Sequence, residues 1–309
     1  MPWTNFVSKR SGTRISNRLP VYVASRVERL ELQEGFALVT APRFRPRRSW
    51  ADRLCLNGGI EREGRRVHPR SDWRPPTTRE LTLLARQDPG RESPLNRTES
   101  AGPPHREESC LKPWEAGLVA IPARLREAWW ASAGSGVAPT APDEGYRRFV
   151  AAVLEFLRFK RLPLPDRCEA DLLASRPDLR GNRLDPATGE LSGLGFSAPA
   201  SRRMVGTINL GDETTHLVLL NVLAQGMRAL LAHDGESDPR SLSPSDLVSR
   251  FFEAYPDYPL TRVSLDPGEG VWFPRADVVH DGWPGAKQGA DVVLTIRGEI
   301  EESIPESFR

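Results

Sequence analysis

His280 and Arg297 are the two residues whose types and positions most suggest chemistry. His280 ends a short β-like run (residues 277–280), and Arg297 directly follows a second such run (residues 291–296). Gly and Pro punctuate the loop between the runs, as between antiparallel strands. An imidazole is a common metal ligand, and a guanidinium binds a carboxylate through two parallel hydrogen bonds. Neighbouring strand ends would therefore place a metal ligand beside an anion-binding arginine.

A metal site needs more ligands, and the chain has few histidines. They are His68, His105, His216, His233 and His280. His105 and Glu107 have the His-x-Glu spacing that can chelate a metal, but they lie in a tract rich in Pro, Ser and Arg. We interpret that spacing as a coincidence. His216, His233 and His280 remain in the part of the chain that is expected to be ordered.

Three segments of the C-terminal region resemble the iron(II)/2-oxoglutarate-dependent oxygenases of the double-stranded β-helix, or jelly-roll, cupin-like fold. They are PGEGVWFP (267–274), VVHDG (278–282) and VVLTIR (292–297). The resemblance implies that His280 is the distal iron ligand and that Arg297, with Thr295, binds 2-oxoglutarate. Such sites hold iron(II) with two imidazoles and one carboxylate, which leaves positions open for oxygen and substrate.

The sequence departs from this family at its first metal motif, His-x-Asp/Glu. His216 is followed by Leu217 and Val218, and His233 by Asp234 and Gly235. One alternative takes the carboxylate from upstream, from Asp212 or Glu213; Asp212 and His216 share a face of an extended strand because four residues separate them. A second pairs His233 with Gly235, as in the halogenase variant in which glycine replaces the acid. A third is that the iron has been lost. We favour His216, Asp212 and His280 as metal ligands.

The function implied by this resemblance is oxidation of a small organic molecule, with iron(II) as cofactor and 2-oxoglutarate and oxygen as cosubstrates. No catalytic residue is expected beyond the metal site. Two other functions stay open: a cupin-type metalloenzyme that does not use 2-oxoglutarate, and a metal-free barrel that acts as a binding module.

Hydrophobic periodicity predicts the elements that would position these residues. Helices are expected at 123–131, from a cap at Asp143 to about residue 161, and at 245–255. Strands are expected at 204–210, 216–223, 262–265, 271–274, 277–280 and 291–296, with a long irregular segment at 163–200 that resembles a lid. The predicted fold is mainly β with supporting helices (α+β), a jelly-roll barrel spanning residues 112–309.

Residues 1–111 are predicted to be an irregular, Arg/Pro-rich and largely disordered segment outside that barrel. Residues 1–110 contain 21 Lys and Arg against 13 Asp and Glu, a net charge of +8, while the remainder carries −6. Such a composition is typical of a solvated segment. The alternative is an arm that contacts nucleic acid, which we do not favour because the arginines are interleaved with acids and prolines.

Several classes of protein are not expected. The three cysteines are far apart and form no CxxC pair, which argues against a cysteine zinc site. There is no apolar run of about 18 residues and no apolar core of a secretory signal. Neither a phosphate-binding GxxxxGK[ST] loop nor a GxSxG nucleophile elbow occurs. A cytoplasmic location and no membrane partner are therefore expected.

Overall fold

The computed structural model describes residues 37–41, 44, 48–63, 66–85, 115–133, 144–160, 162, 164–165, 167–175, 183–184, 191–192, 203–235, 238–273, 278–283 and 287–299. Its strands are β1 (Ala37–Thr40), β2 (Leu54–Leu56), β3 (Ile60–Glu63), β4 (Arg66–Pro69), β5 (Glu115–Ala120), β6 (Cys168–Ser175), β7 (Arg183–Leu184), β8 (Leu191–Ser192), β9 (Arg203–Asn209), β10 (Thr215–Leu223), β11 (Leu260–Leu265), β12 (Glu269–Phe273), β13 (Val278–Trp283) and β14 (Asp291–Glu299). Its helices are α1 (Thr78–Leu84), α2 (Ala123–Ala133), α3 (Glu144–Phe159), α4 (Ala224–His233) and α5 (Pro244–Ala254).

Two sheets contain most of these strands. A six-stranded sheet has the order β1-β5-β12-β9-β14-β6, and a four-stranded sheet has the order β13-β10-β11-β2. All neighbours are antiparallel except β1 and β5. The other two pairs are the short hairpins β3–β4 and β7–β8. The structure is thus mainly β, as predicted.

The two sheets face each other across one hydrophobic cluster. Leu118 and Val271 of the six-stranded sheet and Leu217, Leu219 and Val263 of the four-stranded sheet all belong to it. Side chains alternate between the two faces of a strand, so the neighbours of these residues point the other way. We call the face toward this cluster the inner face of each sheet and the opposite face the outer face.

Helices cover both outer faces. Helices α2 and α3 bury Trp129, Phe149 and Val153 against the six-stranded sheet. Helices α4 and α5 bury residues such as Met227 and Phe251 against the four-stranded sheet. Helix α5 begins at Pro244, one residue before its predicted start, because the Ser243 side chain caps it and Pro244 fits its first turn. None of the helices in the described ranges is long and apolar enough to cross a membrane.

The predicted boundary at residue 112 does not separate these sheets. Strand β1 pairs with β5 at the edge of one sheet, and β2 pairs with β11 at the edge of the other. Leu38, Leu54 and Leu56 are buried in the cluster between the sheets. The apolar stretch 36–39 suggests a strand, but the run Leu54–Leu56 is too short to give a periodic signal, and it is ordered by pairing with a strand encoded far away. Part of residues 1–111 therefore belongs to the barrel-like core, while residues 1–36 and 86–114 lie outside the described residues.

Arginines of the N-terminal segment form ion pairs, mainly with acids of the C-terminal half. The pairs are Arg48–Asp266, Arg53–Glu269, Arg62–Glu253, Arg70–Asp257 and Arg74–Glu80. The opposite net charges of the two halves are therefore partly complementary within the molecule.

One of these pairs is buried. The Arg53 Nη1 and Nη2 atoms lie 2.5 and 2.8 Å from the two carboxylate oxygens of Glu269, with side-chain exposures of 0% and 8%. Arg53 also donates hydrogen bonds to the carbonyl oxygens of Arg48 and Ser264, and Glu269 accepts one from the backbone N–H of Asp266. Buried charges are tolerated when they are paired and hydrogen-bonded in this way. Glu269, the acid of the PGEG turn, thus has a structural partner.

Candidate functional site

Arg297 and Thr295 point to the inner face of the six-stranded sheet. Val292, Leu294 and Ile296 of β14 pack against the helices on the outer face, so the alternate residues face inward. Register pairs Arg297 with Val205 and Thr295 with Thr207, and Val205 lies in the cluster between the sheets. Thr295 is buried, whereas the Arg297 side chain is 39% exposed. The guanidinium therefore lies at the margin of the interior.

His280 faces the same interior from the four-stranded sheet. It pairs with Leu219, an inner residue, and its ring stacks on the ring of Phe273 with the centroids 5.0 Å apart. The Nδ1 atom lies 2.9 Å from the carbonyl oxygen of Val278. A carbonyl only accepts hydrogen bonds, so Nδ1 carries the proton and Nε2 carries the lone pair. This is the tautomer of a histidine that binds a metal or accepts a proton through Nε2.

The surroundings of His280 keep its ring neutral. Burial lowers the pKa of this imidazole below its usual value, and the positive charge of Arg297 adds to that effect. The hydrogen bond to Val278 and the carboxylate of Asp281 oppose it. With the imidazole neutral, Nε2 can accept a proton or bind a metal, and the positive charge that an anion would meet is that of Arg297.

Arg297 already has a carboxylate partner in this structure. Its Nη1 atom donates to Oδ2 of Asp171 on the neighbouring strand β6, at 2.7 Å. Asp171 is the register partner of Thr295, so it too faces inward. The Asp171 side chain is 53% exposed, and exposed ion pairs contribute at most about 1 kcal/mol. A ligand carboxylate can therefore compete for Arg297.

The predicted metal ligands His216 and His280 are not brought together. Antiparallel register pairs Leu219 with His280 and His216 with Trp283, and Leu219 lies three positions after His216 along β10. An odd separation puts two side chains on opposite faces of a sheet. His216 therefore lies on the outer face of the four-stranded sheet, and His280 on the inner face.

The carboxylates proposed to accompany His216 also have other partners. Asp212 accepts a hydrogen bond from Arg126 of α2, at 2.9 Å. Glu213 accepts hydrogen bonds from the backbone N–H groups of Gln288 and Gly289. His233, the other candidate, is the last residue of α4. Within the described ranges no three His, Cys, Asp or Glu side chains form a group that could hold a metal, so the predicted set His216, Asp212 and His280 is not assembled.

Comparisons with known proteins give little. No family model and no curated protein matches the sequence. Two solved structures were found by structural similarity, both of an N-substituted L-amino acid dioxygenase from Burkholderia ambifaria AMMD, one of them in complex with alpha-KG. Each is 13% identical and covers 59% of this chain and 80% of that chain, with TM-scores of 0.23 and 0.22. TM-scores this low do not establish a common fold.

Sequence reasoning missed two residues of the interior, Asp171 and Phe273. Asp171 lies in the segment CEADLLAS, whose alternation of polar and apolar residues up to Leu172 is a weak strand signal. That segment falls within residues 163–200, which were interpreted as a lid. Phe273 was assigned to a strand, but nothing in the sequence indicates that its ring stacks on His280.

His216 makes the stability of the fold sensitive to acid. Burial, with help from Arg262, Lys287 and Arg48 and against the effect of Asp291, lowers its pKa from 6.5 to about 4. The unfolded chain therefore binds more protons than the folded chain between pH 6.5 and pH 4, and stability falls as the pH falls through that window. At about 1.4 kcal/mol per pKa unit, we expect His216 to account for a loss of about 2 kcal/mol between pH 7 and pH 4.5.

Urea unfolding of the wild type and of His216→Gln at both pH values measures this effect. Between pH 7 and pH 4.5, the free energy of unfolding of the variant should fall by about 2 kcal/mol less than that of the wild type. Equal losses in the two proteins would contradict the assignment.

Proposed function

We propose that the chain is a 2-oxoglutarate-binding protein of the iron(II)/2-oxoglutarate oxygenase type, with a double-stranded β-helix fold. Arg297, supported by Thr295, binds a carboxylate of the ligand at the inner face of β14. The observation that carries this proposal is that Arg297 and His280, on consecutive strands of opposite sheets, face the same interior. The resemblance in sequence implied this pair, and the fold gives it a common interior.

The order of the strands supports the β-helix. From β9 onward the chain visits the six-stranded sheet with β9, β12 and β14 and the four-stranded sheet with β10, β11 and β13. Each sheet is thereby built from strands that are not all consecutive, with antiparallel pairs β9–β12, β9–β14 and β10–β13. This crossing between two facing sheets is how jelly rolls are connected.

Iron(II) does not fit the described residues as a complete site. His280 is the only described histidine on the inner face, since His216 lies on the outer face and His68 and His233 belong to β4 and α4. A facial triad needs a second imidazole and a carboxylate. His105, with Glu107 two residues on, is the one histidine outside the described residues. Iron-dependent oxidation of a small organic molecule therefore requires further iron ligands from residues outside the described ranges.

A metal-free barrel that binds a carboxylate is the second candidate function. The observation that favours it is that, of the residues the structure describes, His280 is the one histidine on the inner face. The two candidates share Arg297 and differ only in whether metal is needed. Both can be tested with the full chain.

The deciding experiment is an anaerobic titration with iron(II) followed by 2-oxoglutarate, monitored by the visible charge-transfer band of a keto acid chelated to iron. A band that is lost in His280→Ala and in His105→Ala, but kept in His233→Ala, would support the oxygenase. Calorimetry without iron is the second arm. Binding of 2-oxoglutarate with no band would support the metal-free barrel, and no binding in either arm would refute the proposal.

A further inference from the structure

A second group of polar and aromatic side chains lies on the outer face of the four-stranded sheet. His216 and Arg262 occupy adjacent strands there: His216 pairs with Ser264 and Val218 with Arg262, so they are diagonal neighbours. Trp283 is the register partner of His216 on the other side, and the Arg262 guanidinium stacks over the ring of Trp73 at 4.6 Å. We call these four residues, His216, Arg262, Trp73 and Trp283, the outer site.

Two nitrogen atoms of the outer site have no hydrogen-bond partner among the described residues. They are Nδ1 of His216 and Nε of Arg262, both shielded from solvent. A buried polar atom without a partner costs free energy, and such atoms are rare in folded proteins. Each side chain as a whole is only half-buried, so a ligand can reach its exposed part, although not the shielded nitrogen atom itself. Neither His216 nor Arg262 therefore has its hydrogen-bonding capacity used up by the described residues.

The charge of the outer site is positive. No ion pair involving Arg262 is present among the described residues; its guanidinium lies over the ring of Trp73. Asp281 lies on the same face, but it belongs to β13 and Arg262 belongs to β11. Val218 of β10 lies between the two residues. Arg48 and Arg70, whose side chains are each 34% exposed, are both paired with carboxylates. An anion is the kind of partner that the Arg262 guanidinium would take.

We propose that the outer site binds an organic carboxylate that carries a ring. The carboxylate would accept hydrogen bonds from the Arg262 guanidinium, which lies over the Trp73 ring and presents its N–H groups as a planar fork. The ring would lie against the indole of Trp283, with His216 between the two. Aromatic walls with one convergent cation are the usual composition of a small-molecule site. The outer site lies on the opposite face of the sheet from His280 and does not depend on the function proposed for Arg297.

Benzoate is the probe, with acetate as the acid that lacks a ring and benzyl alcohol as the ring that lacks a charge. The readout is the imidazole NMR signal of His216, assigned with His216→Gln, during titration of the full chain at pH 7. We expect saturable shifts with benzoate, at least about tenfold weaker binding in Arg262→Met, and no change in Arg250→Met, an exposed arginine on α5. Trp283→Leu should weaken benzoate more than acetate.

Binding that shifts His280 and is lost in Arg297→Met, with the His216 signal unmoved, would place benzoate in the interior and overturn the outer site. So would equal binding of benzoate and benzyl alcohol, because the charge would then be irrelevant. Arg262→Met should keep its midpoint of urea unfolding, since methionine fills the space beside Trp73 and removes a buried unsatisfied group. A large drop in that midpoint, with benzoate binding absent in the wild type, would show that Arg262 has a structural role only.

Discussion

Replacing Arg53 by alanine is expected to lower the free energy of unfolding by about 3–5 kcal/mol, the largest effect of any single substitution considered. The substitution leaves the Glu269 carboxylate buried without its two guanidinium hydrogen bonds. It also removes one of the two arginine contacts between the N-terminal segment and the turn before β12, the other being Arg48 with Asp266. Urea or guanidinium unfolding, followed by circular dichroism, measures the change.

Arg62→Ala is the matched control, because Arg62 also joins the N-terminal segment to a distant acid, Glu253, but through an exposed pair. Its expected loss is at most about 1 kcal/mol. The double variant Arg53→Met with Glu269→Met removes both charges and should recover much of the lost stability. If Arg53→Ala were no more destabilising than Arg62→Ala, the segment would not be an integral part of the core.

Affinity for 2-oxoglutarate is expected to move in opposite directions when the two members of the Arg297–Asp171 pair are changed. Arg297→Met should weaken binding by about 10- to 100-fold, since a charge-assisted hydrogen bond to a carboxylate contributes roughly 1.5–3 kcal/mol. Asp171→Asn should tighten binding by up to about fivefold, because the ligand no longer competes with an internal carboxylate for the guanidinium. Isothermal calorimetry measures both.

The double variant gives the sharper test. On the Arg297→Met background, Asp171→Asn should have no effect, since there is no guanidinium left to compete for. Glu155→Gln, on α3 at the outer side of the sheet, is the control for a general effect of net charge. An equal gain from Asp171→Asn with and without Arg297 would mean that Asp171 repels the ligand directly and does not occupy Arg297.

The sequence was a good guide where the alternation of apolar and polar residues is regular. Strands β11 to β14 and helix α5 lie within a few residues of their predicted positions, because turns and caps mark their ends. Helix α4 was missed, since its apolar residues continue directly from β10 without a break. Strands β2 to β4 were missed because composition alone suggested disorder. Strand β2 is ordered by pairing with β11, some 200 residues later, while β3 and β4 pair with each other.

The candidate site was predictable only in part for a similar reason. That His280 and Arg297 face one interior follows from two strands whose alternation is visible in the sequence. That His216 faces the other way depends on how β10 is registered against β13, and a shift of one residue would reverse it. The register between two strands some 60 residues apart is set by the packing of both faces of the sheet. It cannot be inferred from the spacing of candidate ligands in the sequence.

The pairing of the central strands sets the order in which this chain can fold on the ribosome. Strand β5 is synthesised early, but its antiparallel partner β12 follows about 150 residues later. Strand β6 likewise precedes its partner β14 by more than about 100 residues. Native contacts this distant in sequence slow folding. Until β12 and β14 have been made, the earlier strands present unpaired edges, and N-terminal fragments that end before them should depend on chaperones or aggregate.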